Sequence, residues 1–193
     1  MQIRNTSTYY GSLTKLFHWT IALLVIGMLF AGEYMHELEA TPFKFEVYSW
    51  HKSIGLLVLS LVMLRLIWRL ITPPPGFITA QTKDWEIKLA YLIHFLLYLC
   101  LFLMPLSGWL MASAEPNPDP TIYGFDLPQL IEPDKTMKAL FSETHSIIAS
   151  ALIALISLHV LGALKHHFIN KDRTLIRMLP FTGGDKTTKD DRL

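Results

Sequence analysis

Three runs of this 193-residue chain, Leu16 to Gly32, Leu89 to Ala114 and Thr144 to Leu164, contain no Asp, Glu, Lys or Arg. Each is close to the roughly 20 residues that carry an α-helix across the hydrocarbon core of a bilayer. A fourth run, "SIGLLVLSLVMLRLIWRLI" from Ser53, is long enough to cross as well. Its Arg65 and Arg69 lie near one end, where basic side chains can snorkel to the headgroups. The hydrophobic share of 51% is more than a soluble domain normally carries. Helices are therefore predicted over about 13–35, 51–71, 87–112 and 144–167. The fold class is all-α, an integral membrane four-helix bundle, with one transmembrane domain over 1–180 and a polar tail over 181–193 read as disordered.

The first run has a rival reading as a secretory signal, because Arg4 and Lys15 precede it and Ala31-Gly32 supplies small residues. Against that reading, the run is longer than a signal core and opens on a His-Trp pair. Cys100 is the single cysteine and sits within a span, which leaves no disulfide framework, no Cys-type metal site and no Cys-x-x-Cys-His attachment motif.

Of the 17 Lys and Arg, 13 fall on the side of the two termini and the second connection, and only Lys44, Lys52, Lys135 and Lys138 fall on the other. The positive-inside rule then predicts both termini in the cytoplasm of a multi-pass inner-membrane protein. The opposite face is acidic, with Glu33, Glu37, Glu39 and Glu46 in one connection and Glu115, Asp119, Asp126, Glu132, Asp134 and Glu143 in the other. Pro73 to Pro75 stop the second helix. The proline-rich third connection, Ala114 to Glu143, is the one large enough to form a cap or docking surface.

Ionisable groups inside a span are costly and by default face the bundle interior. Alternating helix direction assigns their depths. His18 and His159 fall near the cytoplasmic surface, His51 and His145 near the external one. The 14 residues between His145 and His159 rise about 21 Å and leave the two rings about 40° apart in azimuth, so one helix face presents both. Two matched levels, each supplied from two helices, are what a pair of bis-His haems requires. Two alternatives stand beside this: interhelical hydrogen bonding by each His, and a His-lined metal site or metal transporter. Helices two to four lack acidic residues in their interiors and carry no clustered HxxxH or HxxE pair, which weighs against direct metal binding. His94 has no partner by depth. It is read as a packing hydrogen bond, a quinone or propionate contact, or a substitute for His18. His166 and His167 are read as interfacial, and His36 as an external loop residue.

The motifs "LFHW" at Leu16, "WHKSIGLLVL" at Trp50, "RLIWRLITPPP" at Arg65, "LMPLSGWLM" at Leu103 and "LHVLGALKHHFINKDRTLIRMLP" at Leu158 resemble the bacterial cytochrome b561 family, from Tyr10 to Pro180. The resemblance implies four helices holding two haems b. It pairs His18 with His159 as ligands of the inner iron and His51 with His145 as ligands of the outer iron, and it implies haem propionates received by Arg65 and Arg69. Some members oxidise superoxide and reduce ubiquinone.

The expectation is a di-haem electron conduit between the periplasmic side and a quinone, narrowing to a membrane-bound superoxide:ubiquinone oxidoreductase. Its rival is a non-enzymatic cytochrome b subunit or anchor for a periplasmic redox or quinone-binding protein. Besides the bilayer, ubiquinone is the expected acceptor, and no nucleic acid partner is expected. The acidic external loops count against superoxide, an anion that profits from a positive funnel.

Overall fold

The computed structural model describes residues 2–76, 78, 82–116, 121, 122, 125–180 and 182. Four long helices run in sequence: α1 (Ser12–Glu37), α2 (Pro42–Ile71), α3 (Asp84–Ser113) and α4 (Lys135–Phe168). A two-stranded antiparallel hairpin, β1 (Thr121–Ile122) with β2 (Phe125–Asp126), lies between α3 and α4, and a short α5 (Thr174–Met178) follows α4. All four long helices are apolar and long enough to cross a membrane. The polar tail expected over 181–193 lies outside the described residues apart from Thr182.

Little of the molecule is buried within itself, as expected of a chain whose solvent is lipid. The central cluster is Ile21, Val25, Val58 and Val62, with Leu24, Leu61, Leu101 and Ile156 against it. Large apolar side chains point outward instead, among them Phe30 at 74% exposure and Leu70 at 83%. Hydroxyls in the spans turn back onto their own helices. Ser60 donates to the Leu56 carbonyl, Ser150 to Ser146 and Ser157 to Ile153, so no hydroxyl of these three needs a water partner.

Two helices begin nine residues before the positions expected from hydropathy, α2 at Pro42 rather than 51 and α4 at Lys135 rather than 144. Hydropathy marks the lipid boundary, whereas a helix ends where its backbone finds another partner. At α2, Pro42 occupies the first turn, where its missing N–H costs nothing. At α4, the Asp134 carboxylate accepts from the Met137 N–H at 2.8 Å and caps the helix well outside the apolar run. With 34 residues, α4 is about 50 Å long, more than the membrane core alone requires.

The packing is uneven. α3 and α4 form the closest pair, followed by α1 with α2 and α2 with α3, while neither α1 nor α2 packs its backbone closely on α4. Lys165 on α4 donates to Glu86 on α3 at 2.6 Å and fixes the hairpin register at one end. At the other end, Trp109 donates to the Pro128 carbonyl, the Leu130 N–H to Ser113 Oγ, and the Asp134 N–H to the Ala114 carbonyl, pinning the third connection onto the end of α3.

The terminal side is tied by side chains from four segments. Asn5 accepts from the Gly11 N–H and the Thr14 hydroxyl and donates to the Thr72 and Pro73 carbonyls, joining the start of α1 to the end of α2. Trp68 donates to Thr14 Oγ1, and Trp19 to the Met178 carbonyl. The buried Lys15 ammonium donates to both oxygens of Thr182 at 2.7 Å. Because Asn5 joins the start of α1 to the end of α2 through four hydrogen bonds, Asn5→Ala is expected to cost roughly 1–3 kcal/mol. The loss is read as a lower thermal midpoint in detergent with faster amide exchange at Gly11. An unchanged midpoint and unchanged exchange would show that the clamp contributes nothing.

Candidate functional site

The five membrane histidines form two groups at opposite ends of the bundle interior. At the end opposite the chain termini, His51 of α2 faces His145 of α4 with ring centroids 6.4 Å apart and planes at 68°. His145 is held by α3: its Nδ1–H donates to the Met104 carbonyl at 3.0 Å and lies 3.0 Å from Ser107 Oγ, whose hydroxyl donates to that same carbonyl at 2.7 Å. Nε2 is thereby the free nitrogen of this ring. The sequence makes the arrangement possible locally. Pro105 and Ser107 follow Met104, and Gly108 lets the ring approach, since a Cβ there would sit 3.1 Å from His145 Cε1 and 3.4 Å from Nδ1. On the opposing ring, His51 Nδ1 is buried and has no hydrogen-bond partner among the described residues.

The inner group contains three rings. His18 of α1 and His159 of α4 stand 6.1 Å apart with planes at 63°, and His94 of α3 packs edge-on against His159 at 5.1 Å. His94 Nδ1–H donates to the Ala90 carbonyl of its own helix at 2.6 Å. Arg65 turns inward. Its guanidinium donates to His18 Nδ1 at 3.1 Å and lies 5.5 Å above the Tyr98 ring, with Arg69 at 5.6 Å from the same ring. The snorkelling expected of Arg65 therefore gives way to a contact inside the bundle, because His18 and Tyr98 offer an acceptor and a π-face. A guanidinium only donates, so in this contact His18 Nδ1 is the acceptor.

A metal–imidazole bond is about 2 Å, and a ring nitrogen lies about 1.1 Å from its centroid, so two imidazoles trans on one iron have centroids roughly 6.3 Å apart. The His51–His145 and His18–His159 separations fit that distance, and the His94–His159 separation is about 1 Å too short for it. Between the two pairs, α4 meets α1 and α2 through side chains such as Ile156 rather than through close backbone approach. Among the described residues no group of three or more His, Cys, Asp or Glu is arranged to hold a bare metal ion. The pairs thus suit a planar macrocycle between opposed rings better than a compact metal cage.

A model of the family described as prokaryotic cytochrome b561 matches residues 9–181. The chain belongs to that family. Cytochrome b561 homolog 2 of Escherichia coli is 34% identical over 186 residues, 96% of this chain and 98% of the relative. Cytochrome b561 homolog 1 of the same organism is 32% identical over 137 residues, 67% of this chain and 73% of the relative. A protein of Yersinia pestis named Probable superoxide oxidase CybB is 26% identical over 171 residues, 89% of this chain and 96% of that one. Membership implies a b-type haem, electron transfer within a membrane and a multi-pass inner-membrane location for this cytochrome b561.

Sequence reading named the five rings but not what holds them. Met104, Ser107, Gly108 and Tyr98 all lie on α3, the helix left without an assigned pair. The same depth count that paired the histidines would have set Ser107 and Gly108 opposite His145, because α3 and α4 are antiparallel neighbours. Gly108→Ala is expected to push His145 off its present position and weaken haem retention at the external end, while Gly162→Ala on α4, where a Cβ meets nothing within 4 Å, leaves retention unchanged. Haem content and the reduced-minus-oxidised spectrum of both purified variants measure this. Equal retention in the two would remove Gly108 from the site.

Proposed function

We propose that this cytochrome b561 is a di-haem conduit that passes electrons from a donor at the periplasmic face to ubiquinone in the membrane. The observation that carries the reading is geometric. One long helix presents His145 and His159 to partners on two other helices, at separations of 6.4 Å and 6.1 Å and at two depths about 21 Å apart. In this reading His51 and His145 hold the outer iron and His18 and His159 the inner one. The termini face the cytoplasm, as the concentration of Lys and Arg on their side supports. Haem b supplies one-electron redox chemistry when bound, and the chain sets its ligands, polarity and spacing.

The residues divide that work among themselves. Ser107 and the Met104 carbonyl orient His145 through Nδ1, leaving Nε2 free. Val58, Val62, Leu101, Leu152 and Ile156 fill the middle of the bundle and keep water from between the two levels. Arg65 and Arg69 are the cations available to haem propionates at the inner level. In taking that role Arg65 gives up its hydrogen bond to His18 Nδ1. His94 packs against His159 through an edge contact and serves that ring's orientation.

Superoxide is the narrower donor, and the name of the Yersinia pestis relative favours it. The external electrostatics favour it less. Lys138 is paired with Glu115 at 2.5 Å, and although Lys44 keeps its charge while donating to the Leu38 carbonyl at 2.6 Å, the four lysines of that face stand against ten acidic residues. A protein donor with a basic patch suits the acidic loops better.

The ligand assignment predicts two haems per chain by pyridine haemochrome assay. His51→Ala and His145→Ala should each lose the same haem, His18→Ala and His159→Ala should each lose the other, and His94→Ala should retain both. Loss of the inner haem in His94→Ala with retention in His18→Ala would reverse the inner assignment.

Pulse-generated superoxide applied to the purified protein, with and without ubiquinone, tests the donor. Haem reduction followed by quinone-dependent reoxidation supports an oxidase. Haem that stays oxidised under superoxide, yet is reduced by another external donor and drained by quinone, leaves the conduit and removes superoxide. Haem that no quinone reoxidises would instead make the chain an electron-transfer subunit for a partner protein.

A further inference from the structure

The side of the bundle that carries both termini contains a cavity of about 280 Å³ lined by Ser7, Thr8, Tyr9, Gly76, Arg173 and Arg177, together with Ile78. Its walls come from three separate segments: the chain before α1, the chain after α2 and the segment around α5. They supply two guanidiniums, two side-chain hydroxyls and a phenol ring, and among the described residues no carboxylate.

Arg177 is 9% exposed, donates from Nη1 to the Gly76 carbonyl at 3.1 Å, and stacks at 5.8 Å over the Tyr10 ring. Its Nε is buried without a hydrogen-bond partner among the described residues. Arg173 lies 5.7 Å over Tyr9 on the same wall.

A guanidinium removed from water is normally paired with an anion, and leaving it unpaired is costly. The neighbouring acid does not serve. Asp172 is committed to His166 Nδ1 at 2.6 Å and to the Thr174 N–H at 2.8 Å. Tyr10 does not serve either. Burial pushes its phenol up against the lowering influence of Arg177, Arg69 and Arg65, so it is neutral at physiological pH. Among the described residues no further carboxylate lines the cavity, and the Arg177 Nε–H remains a donor to spare.

We propose that this cavity binds a phosphate-bearing anion, and that the phosphate is that of an anionic phospholipid headgroup. Two arginines with flanking hydroxyls match a phosphate's several acceptor oxygens, and Arg presents paired donors for them. The lipid source follows from position. The helix ends just before two of the walls expose Leu70 at 83% and Ile169 at 72%, which offer acyl chains a surface beside the headgroup site. Basic pockets at the ends of transmembrane helices are where acidic headgroups are held. The site lies on chain segments that carry none of the five membrane histidines, so it stands or falls separately from the haem assignment.

The test uses the haem-loaded full chain in nanodiscs of phosphatidylcholine with or without phosphatidylglycerol, read by thermal midpoint and by native mass spectrometry of retained lipid. Phosphatidylglycerol is expected to raise the midpoint and to be retained through detergent exchange. Arg173→Gln should weaken retention at least about tenfold, and Arg177→Lys, which keeps the charge but not the fork, should weaken it less than Arg173→Gln combined with Arg177→Gln. If millimolar inorganic phosphate gives the same stabilisation in pure phosphatidylcholine and competes with phosphatidylglycerol, the site is an anion site with a free-phosphate source, and the headgroup half of the proposal is overturned. Lipid retention that ignores headgroup charge, stabilisation that survives Arg173→Gln in full, or displacement by a short-chain quinone but not by phosphatidylglycerol would overturn the proposal entirely.

Discussion

Everything in this cytochrome b561 depends on two pairs of imidazoles being opposed across gaps of 6.1 Å and 6.4 Å inside a lipid-facing bundle. A polar ring in hydrocarbon is tolerated where it faces the bundle interior and finds partners. The bundle around them is uneven: α3 and α4 pack closely, α1 and α2 pack closely, and α4 meets the α1–α2 pair mainly through side chains.

The apolar core cluster is small, so the helix ends share the burden of stability. The ends compensate with polar ties whose partners are specific: Asn5 between α1 and α2, Lys165 with Glu86 between α4 and α3, and Trp109 and Ser113 to the third connection. These lie at the water boundary, where a hydrogen bond can be made without burying its partners in lipid. α3 supports the site from behind. It carries no paired ring at the external level, yet its Met104 carbonyl, Ser107 hydroxyl and bare Gly108 decide which nitrogen of His145 is free and how deep that ring sits.

The electrostatics of the two faces differ in the same sense. The terminal side concentrates arginine, turned in toward His18 and Tyr98 by Arg65 and into a cavity that holds no carboxylate among the described residues by Arg177. The opposite side engages two of its few lysines locally, Lys44 with a carbonyl and Lys138 with Glu115. A cytochrome arranged this way holds positive charge on the side of its termini and acidic residues on the opposite side.

The number of spans and the level each histidine shares with its partner were legible in the sequence, because membrane thickness and helix rise convert residue counts into distances and charged residues cannot be spread at random along a span. Helix ends were less legible: α2 and α4 each begin nine residues early, since caps such as Asp134 act locally and hydropathy does not register them. Depth brought His94 to the inner level without saying which ring it would touch. Only azimuth and helix separation decided that, setting His94 at 5.1 Å from His159 and His18 at 6.1 Å. The same holds for Arg65, which composition near a helix end reads as snorkelling and packing turns inward onto His18. Periodicity in one dimension fixes how deep a side chain lies, whereas its neighbour across the bundle depends on rotation and spacing that only the packed helices determine.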